Sequence, residues 1–274
     1  LEQQLEHPIE KYLRKPFRNP FCAGCGEPQV LYATLRAVDE LNLDADKVPI
    51  LVGIGCFIQF RSMVNMDVGS TLHGRTIPFA TGLKLIKPEL KPIILTGDGD
   101  AASIGGNHLI HAARRNVDIT VIVLNNGSYA NTGGQMACTT PLKAHTTTSP
   151  YGCVEQPFDL CKLVEGAGAS YVARWSTVHL TQLTKSIKEA INKKGFAFIE
   201  CLAQCPVLYG RYNKMPAAVD MIRWYKRICV TKSQAEKMSE DELKDKIVVG
   251  KFVDRDRPEF TEEIRKLNQL TRGA

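Results

Sequence analysis

Residues 92–141 read Pro92-Ile-Ile-Leu-Thr-Gly-Asp-Gly-Asp100, then a helical stretch, then Asp118-Ile-Thr-Val-Ile-Val-Leu-Asn-Asn126, and close through Gly127-Ser-Tyr-Ala-Asn-Thr-Gly-Gly-Gln135 to Pro141. Two short apolar runs, 93–95 and 119–124, have the unbroken hydrophobicity of parallel strands buried on both faces. Each ends in groups that bind hard cations or oxyanions: Gly97-Asp98-Gly99 after the first, Asn125-Asn126 after the second. In an open α/β sheet, ligands sit beyond the carboxyl ends of the strands. Asp98 and Asn126 are therefore expected to meet on one edge. A carboxylate and an amide there suit Mg²⁺, which takes oxygen ligands in an octahedron, and through it a diphosphate.

The same residues fit the dinucleotide pattern G-x-G-x-x-A over 97–102. Two details disfavour it. An Asp inside the glycine turn repels a bare pyrophosphate, and the second strand ends in amides where a ribose-binding acid is expected. A plain structural turn is the third reading.

Working outward, 274 residues suffice for one large α/β domain or two small ones, and 44% hydrophobic residues can fill a sizeable core. The net charge of +6 is mild and mixed along the chain. No basic–aromatic interleaving is present, so nucleic acid is not an expected partner. No apolar run approaches the roughly 20 residues of a membrane span. The N-terminus lacks the apolar core of a signal peptide. Nine cysteines, an odd number spread over a long chain, point to reduced thiols and a cytoplasmic setting.

In chain order, 1–20 reads as an N-terminal arm lying on the domain or on a partner, 21–215 as the cofactor-binding α/β domain, and 216–274 as a C-terminal helix with an extended tail. Phe21-Cys-Ala-Gly-Cys-Gly26 is a tight loop before a helix that Pro28 opens. A strand over 49–55 ends at Gly55-Cys56, and 57–72 is expected to be a mixed loop. Helices are expected at 77–86, 105–115 and 156–166. A strand is expected at 170–173, then an amphipathic helix over 176–193 with Ser176 as its N-cap. The segment 195–202 is the last expected strand, and the charged run 232–246 reads as a solvated face. The loop 127–155 is long enough to suggest function.

Cys22 and Cys25 alone are compatible with half a zinc site, a redox pair or two packed thiols. Cys56 and Cys205 each follow an expected strand on the edge that carries Asp98. Four cysteines gathered there suit a [4Fe–4S] cluster or Zn²⁺. Cys201 is a rival fourth ligand, although it stands within an apolar strand. Cys138, Cys153, Cys161 and Cys229 lack paired spacing and read as packing. His73 lies in a loop, while His108 and His111 fall on the crossover helix.

Taken together, Cys22-Ala-Gly-Cys25-Gly, Gly53-Ile-Gly-Cys56, Thr71-Leu-His-Gly-Arg75, Gly97-Asp-Gly-Asp100, Leu124–Gln135, Thr139-Thr-Pro141 and Gln204-Cys205-Pro206 resemble the β subunit of 2-oxoacid:ferredoxin oxidoreductases. The resemblance covers about 20–225. It implies the thiamine diphosphate-binding fold, α/β with a mostly parallel sheet and helices on both faces. It implies [4Fe–4S] ligation by Cys22, Cys25, Cys56 and Cys205, choosing Cys205 over Cys201. It implies Mg²⁺ ligation by Asp98, Asn126 and the carbonyl of Ser128. The thiamine diphosphate pocket is then expected from Ile54, Gly55, Cys56, His73, Gly99, Asp100, Ala101, Tyr129 and Ala130, with His73, Asn131 and Thr132 as catalytic candidates.

The activity implied is oxidative decarboxylation of a 2-oxoacid, with coenzyme A taking the acyl group and electrons leaving through the cluster to ferredoxin. The protein binds and orients while the cofactor carries the organic chemistry. An α subunit bearing the pyrimidine domain and its Glu is the implied partner, with further small subunits left open, so the chain alone is expected to be inactive. Residues 205–221 are most similar to the 2-oxoglutarate branch; pyruvate and branched-chain 2-oxoacids are the alternatives. One departure stands out. Phe57-Ile58-Gln59-Phe60 occupies a place where family members often carry small or basic residues. A distal carboxylate would then need Arg61, Arg75, Arg211 or a partner residue. A non-oxidative thiamine-dependent decarboxylase and a zinc or electron-transfer scaffold are the remaining rivals.

Overall fold

Six parallel strands form the centre of the computed structural model, which describes residues 7–272. They are β1 (Ile50–Val52), β2 (Val68–Ser70), β3 (Ile93–Gly97), β4 (Thr120–Asn125), β5 (Tyr171–Ser176) and β6 (Ala197–Leu202). Two C-terminal strands, β7 (Cys229–Thr231) and β8 (Ile247–Asp254), complete a sheet of order β2-β1-β3-β4-β6-β5-β8-β7. Every pairing is parallel except β5 with β8.

The central strands β3, β4 and β6 are mostly apolar because both faces are covered. Ile93, Leu95, Ile122, Leu124, Ile199 and Cys201 face one core, under α1 (Glu27–Glu40) and α6 (Leu180–Asn192). Ile94, Val121, Val123, Phe196 and Phe198 face the other, under α3 (Thr76–Ile86), α4 (Gly106–Arg115) and α5 (Leu160–Ala167). This alternation is the period of two that a pleated strand imposes. From β1 the chain steps outward to β2 and then returns to β3 on the other side of β1. The loops after β1 and β3 therefore diverge, and the crevice between them is the topological switch point.

Several expectations are corrected. Ser176 does not cap a helix: it ends β5, and α6 starts four residues later behind His179, whose ring nitrogen pairs with Ser176 Oγ at 2.8 Å. Leu180 is accordingly 37% exposed, whereas Leu183, Ile187 and Ala190 are buried. The expected helix at 156–166 begins only at Leu160, capped by the Asp159 side chain. The loop 57–72 contains β2, an edge strand on β1, together with a 3₁₀ turn (Cys56–Gln59) and the short helix α2 (Phe60–Met63). The segment 195–202 is not the last strand, because β8 pairs antiparallel with β5. The run 232–246 carries two single-turn helices, α8 (Lys232–Ala235) and α9 (Glu240–Leu243), each with a capping box. Between β6 and these lies α7 (Ala218–Ile228), and α10 (Phe260–Arg272) ends the described chain.

Of the N-terminal arm, residues 1–6 lie outside the described residues. Ile9 and Tyr12 are buried on the domain, and Leu13 bridges Val64. The C-terminal segment is tied in through Asn116, the left-handed cap of α4 (φ 57°). Its Oδ1 accepts from Ser170 Oγ and Phe196 N–H, both at 2.8 Å. Its Nδ2 donates to the carbonyls of Arg257 and Pro258. Losing this side chain strands buried donors and acceptors from three segments. Asn116→Ala is expected to destabilise the chain by about 3 kcal/mol, read as a lower urea midpoint with little change in slope.

Candidate active site

Register brings the two motifs together. Gly97 is opposite Leu124 in the β3–β4 pair, so Asp98 emerges beside Asn125 and Asn126. The cleft beyond this edge is lined by Ile54, Gly55, Cys56, Phe57, His73, Asp98, Gly99, Asp100, Asn126, Ser128, Tyr129, Ala130, Asn131 and Thr132, and also by Glu27 and Gly97. All the expected pocket residues are there except Ala101, which packs into the core behind the π-helical turn Gly99–Ile104.

Asp98 is 1% exposed. Its carboxylate accepts from Thr139 Oγ1, a residue on the long loop. Burial pushes this carboxyl up to about 6, against the pull of that hydrogen bond. Asn126 Oδ1 accepts from Ser128 N–H at 3.1 Å and from Ser128 Oγ at 3.3 Å, which folds the 126–128 turn. A buried carboxylate with no Lys or Arg among the cleft's lining residues is a site short of positive charge. One carboxylate, one amide and one backbone carbonyl form the hard oxygen set that Mg²⁺ accepts.

Asp100 holds the cleft open. Oδ1 accepts from Ile54 N–H (3.2 Å), Gly74 N–H (2.8 Å) and His73 Nδ1; Oδ2 accepts from Thr96 Oγ1 (2.6 Å). One carboxylate thus ties the loops after β1 and β2 to the end of β3. A Cβ at Gly53 would collide with it, which explains glycine there. With Nδ1 bound, the His73 ring is fixed and Nε2 is left for the cleft. The His73 ring also meets Tyr129 edge-on, with centroids 5.9 Å apart.

The four cysteines stand on three adjoining segments. Gly26 N–H donates to the Gln204 carbonyl at 2.9 Å, joining the Cys22–Cys25 loop to the segment before Cys205. Cys56 opens the 3₁₀ turn after β1 and lines the cleft. Cys25 lies within electrostatic reach of Cys205 and Cys56, and Cys56 and Cys205 lie within reach of Cys22. Burial first, and the Glu27 charge second, push the Cys56 thiol up to about 12; Cys25 is raised by the same two causes. Thiols buried this way are costly to ionise unless a cation stands beside them. Among the described residues no three His, Cys, Asp or Glu side chains converge closely enough for one ion.

Cys201 lies apart, fully buried in the core beneath α1 and α6. Cys161 donates toward Glu200 and Cys153 toward Met136, while Cys229 is buried beside β8. All nine cysteines are free thiols. Arg61, Arg75 and Arg211 are exposed, and none lines the cleft. Phe57 is buried, its ring against Gly55 and Gly97.

Three features escaped the sequence reading. Glu27, a first-turn helix acid, points inward. Thr96 and Thr139 each hold an aspartate, though Thr139 does sit in a noticed motif. Asn125 Nδ2 donates to Glu200 at 2.7 Å, and Glu200 in turn pairs with Arg174 at 2.6 Å, a buried polar chain across β4, β6 and β5. Because Asp100 joins three loops, Asp100→Asn is expected to cost about 2–3 kcal/mol by turning a donor toward buried N–H groups. The loss is expected to read as a lower urea midpoint with little change in slope.

Residues 53–201 match the family described as thiamine pyrophosphate enzyme, C-terminal TPP binding domain. The 2-oxoglutarate synthase subunit KorB of Methanocaldococcus jannaschii is 49% identical over 263 residues, covering 95% of this chain and 97% of that one. The same subunit of Methanothermobacter thermautotrophicus is 48% identical over 264 residues, 96% and 92% of the two chains. Among solved structures, a 2-oxoglutarate:ferredoxin oxidoreductase from Magnetococcus marinus, with 2-oxoglutarate, coenzyme A and succinyl-CoA bound, superposes with a TM-score of 0.85 at 28% identity, over 98% of this chain and 92% of that one. The chain, with its thiamine diphosphate-binding domain, belongs to the KorB family of 2-oxoacid:ferredoxin oxidoreductase β subunits.

Proposed function

We propose that this chain is the β subunit of a 2-oxoglutarate:ferredoxin oxidoreductase, in which 2-oxoglutarate and coenzyme A give succinyl-CoA and CO₂. Electrons leave through a [4Fe–4S] cluster to ferredoxin. The observation that supports this reading is the place of Cys56, which lines the cleft with Asp98 and lies within electrostatic reach of Cys22, Cys25 and Cys205. The identity with KorB subunits supports the choice of substrate.

Thiamine diphosphate, when bound, supplies the carbon nucleophile and the electron sink for decarboxylation, and the cluster supplies a one-electron exit. The chain's own residues bind and orient. Asp98, Asn126 and the Ser128 carbonyl would hold Mg²⁺ against the diphosphate. Ile54, Gly55, Gly99, Tyr129 and Ala130 wall the cleft, and Ala101 backs it from the core. Asp100 fixes His73 with Nε2 free to hold or pass a proton. Asn131 and Thr132 stand at the mouth, where Thr132 Oγ1 donates to Gln135 at 2.7 Å. Cys22, Cys25, Cys56 and Cys205 would hold the cluster.

The carboxylate that activates the aminopyrimidine is assigned to the pyrimidine domain of an α subunit. The reduced cysteines suit the cytoplasm. Among the described residues no helix is long and apolar enough to cross a membrane. A non-oxidative decarboxylase would leave the four adjoining cysteines idle.

Anaerobically purified complex should contain about four irons for this chain's site; zinc without iron would overturn the proposal. With the whole complex, ferredoxin reduction should be faster with 2-oxoglutarate than with pyruvate, and the reverse order would reassign the substrate. Asp98→Ala should lose Mg²⁺ and thiamine diphosphate yet keep iron. Cys25→Ala should lose the cluster and keep the cofactor.

A further inference from the structure

Glu27 follows the Cys22–Cys25 loop and opens α1, where a carboxylate ordinarily faces water and the positive end of the helix dipole. Here it turns inward and is 3% exposed. Oε1 accepts from Asn126 Nδ2 at 3.3 Å. Oε2 is buried and has no hydrogen-bond partner among the described residues. An oxygen left this way costs about 1–3 kcal/mol, more for a charged group, so it calls for a partner. Glu27 lines the same cleft as Asp98 and Asn126.

We propose that Glu27 is a positioning residue for the divalent cation, holding the Asn126 amide with its oxygen toward the ion and offering Oε2 to the ion's hydration water. This rests on the assignment of Asp98, Asn126 and Ser128 to Mg²⁺. An asparagine amide has two ends of similar shape and opposite polarity, and only the oxygen ligates a cation. A carboxylate accepts and does not donate, so Glu27 takes the NH₂ end. Ser128 N–H and Oγ donate to the other end, so both ends agree on one orientation. Mg²⁺ dehydrates reluctantly and keeps water in its shell. Water protons are what a buried, partnerless carboxylate oxygen lacks. A role limited to supporting the cysteine loop would leave Oε2 unexplained.

The test uses the assembled complex, stripped of cofactor and titrated with Mn²⁺ in the presence of thiamine diphosphate. Bound Mn²⁺ is read by electron paramagnetic resonance and iron is counted in the same samples. Glu27→Gln preserves shape and removes one acceptor. It should raise the half-saturating Mn²⁺ concentration about 10- to 100-fold, the usual effect of losing an outer-shell partner, with iron unchanged. Asn126→Asp retains an oxygen ligand but has no donor for Glu27, so it should also bind weakly. Adding Glu27→Gln to Asn126→Asp supplies a donor from the other side and should recover part of the loss. Wild-type Mn²⁺ affinity in Glu27→Gln, or a double variant no better than Asn126→Asp, would overturn the proposal. So would loss of iron in Glu27→Gln with Mn²⁺ affinity unmoved. Asp98→Ala is the control: if it binds Mn²⁺ as wild type does, the cation assignment itself fails, and the role of Glu27 with it.

Discussion

The pairing of β3 with β4 is the constraint on which the site depends. Gly97 faces Leu124, so Asp98 and Asn126 leave the sheet side by side. A one-residue slip would send every core side chain of one strand to the wrong face. Ile94, Val121 and Val123 on one side, and Leu95, Ile122 and Leu124 on the other, make that slip prohibitive. The core therefore sets the register, and the register sets where Asp98 and Asn126 stand. Packing well away from the chemistry decides where the chemistry stands.

The edge so formed resists ionisation, because its acids are buried away from water and from any Lys or Arg side chain of the cleft. Asp98 and Glu27 are both buried, and burial raises both carboxyls, to about 6 and about 8. Four cysteines crowd the other side of Glu27, and their thiols are raised where a shift is resolved. Such an arrangement is costly until cations occupy it. Asp100 differs: its two oxygens are spent on Ile54, Gly74, His73 and Thr96. Similar aspartates two residues apart thus do opposite things, one left for a ligand and one consumed in shaping the cleft.

Much of this was legible in the chain. Unbroken apolar runs exposed β3 and β4, and the Gly-Asp-Gly and Asn-Asn punctuation located the edge. The cysteines gained meaning only when each was placed after a strand. What escaped had physical reasons. Ser176 resembles a helix cap by sequence, but β5 continues through Arg174 and Trp175 because Arg174 is paired inside with Glu200. β8 hides in a charged region, since Lys251 and Asp254 are exposed and pair with each other. Glu27 sits where acids are common on helices for local reasons, so its inward turn has no local signature. Only the three-dimensional meeting with Asn126 separates it from an ordinary first-turn glutamate.

The central claim is that one sheet edge both cleaves a carbon–carbon bond and passes the electrons out through this chain's own cysteines. The direct measurement is electron paramagnetic resonance of the anaerobic, oxidised complex before and after 2-oxoglutarate is added without ferredoxin. Substrate alone is expected to produce the signal of a reduced [4Fe–4S] cluster, and Cys25→Ala to abolish it while the cofactor stays bound. Release of CO₂ from 2-oxoglutarate with no change in the cluster signal would contradict it.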